Sequence, residues 1–323
     1  MSQQSVLYDA PGPRAKRTTL IVSVVVAVLV AVGAYFLVYR PLDEQGQFDM
    51  ELWGPLVDPS NEVFSQVWKL LGEGFQATLT AAALAIVSSL AVGTALAVLR
   101  VQLKATMRRR FVHHNRPTAI ALRTLTLVLN GITRFCVEVF RGLPVVITIF
   151  FVASALPDLG VDLGEILWYL VIGLTLYNSV VIAEILRSGM EGLPGGQREA
   201  AEAIGLSSFA TIRLILLPQA FRIMLPALIS QLIVVLKDTS LGFIISYEEV
   251  LKQSQTVILN LENPIQVYTL VALIYILVNY ALSKLAEYAQ RRMARGRKTG
   301  TLRKAKDQPP AALAADLTPP AKV

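Results

Sequence analysis

The run Leu20–Val38 carries no charged residue. Wound as a helix at roughly 1.5 Å per residue, it matches the ~30 Å hydrocarbon core of a bilayer. Such a run has few homes, because lipid offers no partner to a backbone N–H or C=O. A spanning chain must satisfy both groups within itself, and a helix does so. Similar apolar stretches recur at about 75–99, 125–156, 166–186, 221–245 and 267–285. The expected fold is therefore all-α and polytopic, with about six transmembrane helices. Composition agrees: 54% of the 323 residues are hydrophobic and 16% are charged, against about 25% charged in soluble domains.

Loop charges orient the spans. Residues 41–62 hold Asp43, Glu44, Asp49, Glu51, Asp58 and Glu62 with no Lys or Arg, whereas 100–123 hold Arg100, Lys104, Arg108, Arg109, Arg110, Arg116 and Arg123 with no acid. Cytoplasmic loops carry the excess of Lys and Arg, so the first loop belongs outside and the second inside. The bases Arg14, Lys16 and Arg17 before the first run, and the basic stretch from Arg291 onward, place both termini in the cytoplasm. The net charge of +7 is thereby accounted for without nucleic acid. Leu20–Val38 is too long for a typical signal-peptide core and no A-x-A site follows, so it reads as an uncleaved span. Gly142 and Pro144 are expected to break the long third stretch, since proline removes a helix hydrogen bond. Pro226 is expected to kink span five, and the Pro- and Ala-rich end to be disordered.

Several chemistries are excluded. The single Cys136 rules out an internal disulfide or a cysteine metal site. His113 and His114 are adjacent and cannot share a helix face, so no metal site is expected. There is no G-x-x-x-x-G-K-[ST] phosphate loop, no H-E-x-x-H and no G-x-S-x-G. An intramembrane enzyme is disfavoured. The lack of a clear internal repeat disfavours a channel or ion-driven carrier, which remains the remote alternative.

Between spans four and five, residues 199–218 read EAAEAIGLSSFATIRLILLP. The stretch begins with charge and breaks at a glycine, and the charge rule puts it in the cytoplasm. Glu199–Ile204 is built of helix formers, Gly205 suits the left-handed position that ends a helix, and Ser207 or Ser208 can cap a second helix, Phe209–Leu217. Pro218 is expected to restart the chain toward span five. Ala200, Ala201 and Ala203 form a small, flat face suited to close contact with another protein.

The spacing of Glu199, Ala200, Ala201, Gly205, Ile215, Leu217 and Pro218 resembles the EAA loop of permease subunits of binding-protein-dependent ABC importers. EVFRGLP (138–144), AEILRSG (183–189), GQREAAEAIGLS (196–207), LPQAFR (217–222) and KDTSL (237–241) resemble the polar amino acid uptake branch, over about residues 70–290. VLYDAPGPR (6–14) and the extra first span resemble actinobacterial glutamate-type permeases. Gly195, where many relatives have lysine, and Val180–Val181, where many have Ala-Tyr, depart from the pattern.

The residues themselves read as a flexible cytoplasmic tail at 1–17, an extra helix at 18–40, an extracellular loop at 41–69 and a disordered basic cytoplasmic tail at 291–323, while the resemblance implies a permease domain at 70–290 with the coupling loop at 197–218. It implies a permease subunit that is not itself an enzyme, in a plasma membrane, carrying glutamate, or else glutamine or another polar amino acid. ATP and magnesium would bind a cytoplasmic ABC ATPase dimer, with no cofactor on this chain. A second related permease, forming a heterodimer, and an extracellular amino acid-binding protein complete the expected assembly.

For the translocation path, the ionisable and polar residues within spans are the candidates, since charge in the bilayer is costly. Lys237 and Asp238 are consecutive, point about 100° apart on a helix and do not simply pair. They read either as a zwitterion site or as ends of structural bridges, with Thr239 and Ser240 beside a local unwinding expected at Gly242. Glu184 reads first as a structural or gating partner of Arg187, and Asn178 as a bond to a neighbouring helix. Glu138 and Arg141 are spaced to pair at i, i+3; Arg141 is also a path candidate, a cation for a solute's second carboxylate if the break in span three turns it toward the path.

Overall fold

The computed structural model describes residues 12–108 and 116–306. His113 and His114, the first eleven residues and the Pro/Ala-rich end lie outside them. Every regular element among the described residues is helical: α1 Pro13–Ala34, α2 Arg40–Glu44, α3 Met50–Val57, α4 Phe64–Arg108, α5 Arg116–Gly142, α6 Val145–Asp158, α7 Ile166–Glu191, α8 Gly196–Ala203, α9 Ser208–Thr211, α10 Leu217–Asp238, α11 Val250–Leu261 and α12 Pro264–Lys306. Six helical stretches are long and apolar enough to cross a membrane, at Pro13–Glu44, Phe64–Met107, Pro117–Gly142, Ile166–Glu191, Ser208–Ile245 and Pro264–Leu285.

The chain forms two compact units. The first is Met1–Trp68 with Val257–Thr269. Its α1 buries none of its own residues, as suits a helix whose whole surface meets lipid. The polar end of this unit is tied by side chains: Gln266 donates to the Gln47 carbonyl at 2.6 Å, Asn263 to that of Leu52 at 3.0 Å, and Trp68 to that of Leu56 at 3.0 Å.

The second unit is Lys69–Thr256 with Leu270–Val323, and α7 is its centre. Leu170, Leu174, Ile182, Ala183 and Leu186 are fully buried, and α7 packs against α6 and α10. Small residues set the spacing. A Cβ on Gly173 would lie 2.8 Å from the Ile149 Cα of α6, and one on Gly93 of α4 would lie 2.8 Å from the Ser179 carbonyl oxygen. Without a hydrophobic drive between helices in lipid, such close approach and the dispersion it allows hold the bundle together.

The break before Pro144 occurs as expected: α5 ends at Gly142, and Pro144 takes an extended conformation before α6. Its first half differs from the others. Arg123, Asn130, Arg134, Glu138 and Arg141 share one face of α5, while Leu125, Val128, Leu129, Ile132, Phe135 and Val139 occupy the opposite one. This is an amphipathic helix, where the sequence suggested one apolar stretch running through 156.

Three other expectations are corrected. The helix begins at Pro13, inside the segment read as tail, because proline is well placed at a helix N-terminus. Backbone continuity also passes through Pro218, which sits in the first turn of α10 and needs no N–H there. Lastly, α12 runs to Lys306, so 291–306 is helical, consistent with its many Arg and Lys residues.

At one end of the second unit, Glu249 is fully buried. It accepts from the backbone N–H groups of Leu251 at 2.9 Å and Lys252 at 2.8 Å, capping α11. Burial pushes its carboxyl up to about 7, against the pull of those two bonds. Nearby, Tyr247 donates to the Ala77 carbonyl and Val250 to the Thr78 hydroxyl, fastening this loop to α4.

Candidate functional site: the interspan loop and the polar residues within the bundle

The loop 196–218 is folded by its own caps. Leu206 N–H donates to the Ala201 carbonyl and Gly205 N–H to that of Glu202, both at 3.0 Å, with Gly205 at φ +82°. This is the paired closure of a helix that ends on a left-handed residue. Ser207 then caps α9, its hydroxyl accepting from the Ala210 N–H at 3.2 Å. The chain proceeds through a π-helical turn, Ile212–Leu216, into α10.

The alanine face divides. Ala201 is buried against its own chain, whereas Ala200, Ala203 and Glu199 are exposed. Beside them stand apolar side chains that sequence reasoning passed over, Ile204 at 76% exposure and Phe209 at 51%. Ile215 and Leu217 are half-buried and Pro218 is exposed. Ile215 and Leu217 pack onto the cluster of Ile182, Leu186, Ile212 and Leu216. The loop is thus fastened to the bundle on one side and leaves a small-residue and apolar surface free on the other.

Glu184 is the hub of an ion-pair network. It contacts Arg187 at 2.8 Å and Arg100 of α4, and Arg187 also meets Glu191 at 2.8 Å. Lys104, one turn beyond Arg100, holds Glu191 at 2.9 Å. The Glu184–Arg187 pairing was legible locally. Arg100, Lys104 and Glu191 were missed, because the contact between α4 and α7 spans some 84–87 positions and leaves no local signal. Glu138 lies 4.0 Å from Arg134, and Arg141 forms no ion pair among the described residues. The expected Glu138–Arg141 pair is therefore replaced by an i, i+4 approach on the same face.

Higher in α7, Asn178 is fully buried. It donates to the Leu174 carbonyl at 3.0 Å and accepts from Gln231 of α10 at 2.7 Å, so it does bond a neighbouring helix. The Asp238 carboxylate faces the same Asn178, and its Oδ2 is buried without a partner. Lys237 is exposed and makes no ion pair among the described residues. The two consecutive charges are thus separated, with only Asp238 turned into the bundle. Thr239 and Ser240 return their hydroxyls to the Leu236 carbonyl at 2.6 Å and the Lys237 carbonyl at 2.8 Å. The α-helix gives way there to a 3-10 helix, Thr239–Ile245, the local change expected near Gly242.

Among the described residues no cluster of His, Cys, Asp and Glu could hold a metal ion.

Residues 116–295 match the binding-protein-dependent transport system inner membrane components. The chain is 36% identical over 260 residues, 79% of its own length and 85% of the relative's, to the glutamate transport system permease protein GluD of Corynebacterium glutamicum. It is 40% identical over 161 residues, 48% of its length and 72% of the relative's, to the probable glutamine ABC transporter permease protein GlnP of Bacillus subtilis. Its fold resembles that in the crystal structure of an amino acid ABC transporter with histidines, with a TM-score of 0.57 at 23% identity, covering 71% of this chain and 96% of that one.

Proposed function

From the premise that this chain belongs to the family of binding-protein-dependent transport system inner membrane components, we propose that it is the membrane half of an ATP-driven amino acid importer. The acidic amino acid glutamate is its cargo, with glutamine as the second reading. The likeness to a glutamate permease over 79% of the chain supports the first; the shorter match to a glutamine permease supports the second. The work is transport, and ATP with its magnesium binds a separate pair of ATPase subunits. The transport domain is residues 70–290; the helix at 18–40 and the loop at 41–69 are additions to it. Both termini and the loop 197–218 face the cytoplasm of a bacterial plasma membrane, and the likeness to a Corynebacterium relative supports an actinobacterial one.

The observation that carries this reading is the loop's two-sided construction. Exposed Ala200, Ala203, Ile204 and Phe209 lie on a short helical hairpin whose other side packs beneath α7 and α10. An exposed apolar patch in water calls for a partner, and a hairpin fastened to the central helix transmits the partner's motion to the path. Glu199, near the first turn of α8, favours that helix end and offers a charge to the partner's rim. A second, related permease completes the pore as a heterodimer, and an extracellular binding protein delivers the solute.

Within the path, Asp238 supplies the carboxylate for the solute's ammonium group: its buried Oδ2 still lacks a donor. Asn178 and Gln231 hold that carboxylate's neighbourhood in register. Glu184 works as an ion-paired gate between α4 and α7, not as a contact to the solute.

The docking claim is tested by cross-linking. A photoreactive residue at Ile204 is expected to attach the chain to a co-purifying ATPase subunit, while one at Leu37 in the first span attaches to lipid or to no protein. Equal ATPase cross-linking from both positions would remove the loop from the interface.

A further inference from the structure

A cavity of about 490 Å³ opens beside the ion-pair network of the second unit. Its cations are Arg100 and Lys104 from α4, Arg134 and Arg141 from α5, and Arg187 from α7; its acids are Glu138, Glu184 and Glu191. The acids are already engaged. Glu184 is shared by Arg100 and Arg187, Glu191 by Lys104 and Arg187, and Glu138 reaches only Arg134, at 4.0 Å. Five cations against three carboxylates leave two positive charges uncompensated, and the geometry gives them an address. Arg141 has no acidic partner among the described residues, and Arg134 has one at the limit of contact.

Arg134 and Arg141 are both exposed, so their uncompensated charge is accessible to a solute. Here it is held on the polar face of α5, one helix turn before the break at Pro144, and faces an opening large enough for a small solute. Arg134 and Arg141 lie seven residues, two helical turns, apart on that face. A planar guanidinium matches a carboxylate in two-point contact. We infer that this cavity is an anion site in the inner half of the path, where Arg141, with Arg134 two turns away on the same face adding to the positive field, takes the side-chain carboxylate of an acidic amino acid in transit. The inference rests on the importer reading. It adds a second point of recognition, distinct from Asp238: the carboxylate at one end of the path reads the ammonium group that all amino acids share, and the cations at the other read the charge that distinguishes glutamate from glutamine. The salt-bridged Arg100 and Arg187 form the fixed wall of the site, and their bonds to Glu184 keep that acid from capturing Arg141.

The test is uptake of labelled glutamate and labelled glutamine by cells carrying the whole transporter with Arg141→Gln, Arg134→Gln or both. Loss of a charge-assisted, two-point contact is expected to lower the glutamate-to-glutamine uptake ratio about tenfold, and Arg141→Lys, which returns the charge without the two-point contact, is expected to restore only part of it. Equal falls for both solutes, as a lipid-headgroup contact or a purely structural role would give, overturn the inference. So does an unchanged glutamate-to-glutamine ratio in the double variant in a complex that assembles. If the unaltered transporter carries glutamine in preference, the anion site is likewise refuted while the importer reading stands; if it carries no amino acid, the importer reading itself falls.

Discussion

Gly205→Val is expected to lower solute-stimulated ATP hydrolysis by the assembled transporter by tenfold or more, on the order set by ~1–2 kcal/mol of backbone strain at the coupling contact. The cause is not crowding, since a Cβ at Gly205 would meet nothing within 4 Å. It is the backbone: φ is +82°, a region a β-branched residue tolerates poorly. Moving φ out of it breaks the bonds from Gly205 to Glu202 and from Leu206 to Ala201, which together fix the angle between α8 and α9. The exposed surface of Ala200, Ala203 and Ile204 then turns away from that of Phe209. Asparagine visits the left-handed region several-fold more readily than most residues, so Gly205→Asn is expected to retain most of the stimulation. Equal loss in the two variants would mean that the side chain, rather than the turn, disturbs coupling.

Glu184→Ala is expected to cost about 3–5 kcal/mol, the usual penalty for removing one partner of a buried ion pair. Glu184 is 17% exposed and Arg100 14%, and both belong to the interface of α4 with α7. Removing the carboxylate strands Arg100 and leaves Arg187 with Glu191 alone. The measurable result is a lower yield and a lower Tm of the detergent-purified complex. Glu138→Ala, whose partner lies 4.0 Å away with both side chains largely exposed, is expected to change Tm little. A Tm for Glu184→Ala equal to that of the unaltered chain would show that the network carries no packing energy.

Legibility in the sequence followed distance along the chain. The spans were visible because lipid demands long apolar runs, and the loop caps because Gly205 and Ser207 act within a few residues of themselves. The Glu184–Arg187 pair was visible as an i, i+3 relation. By contrast, Arg100 meets Glu184 only once α4 has packed on α7, and Gln231 meets Asn178 only once α10 has. Nothing local signals either. The division of Lys237 from Asp238 was half legible: consecutive residues must diverge on a helix, but which one turns inward depends on where α7 lies. The amphipathic face of α5 was written in the positions of Arg123, Asn130, Arg134, Glu138 and Arg141. It was hidden by the apolar segment after Pro144, which made one continuous stretch out of two helices with different surroundings. Ile204 and Phe209 went unnoticed because exposed apolar residues on a short loop look like ordinary helix formers until burial distinguishes them from Ala201.

The most direct test of the account is solute accumulation in proteoliposomes that hold the assembled complex, with the extracellular binding protein and labelled glutamate on one side and ATP with magnesium on the side of the 197–218 loop. The account predicts accumulation against the gradient when ATP is present and hydrolysable, and none beyond equilibration when it is withheld. Accumulation at the same rate without ATP, driven by an ion gradient, or mere equilibration whether or not ATP is present, would contradict it and identify the chain as a carrier or a channel.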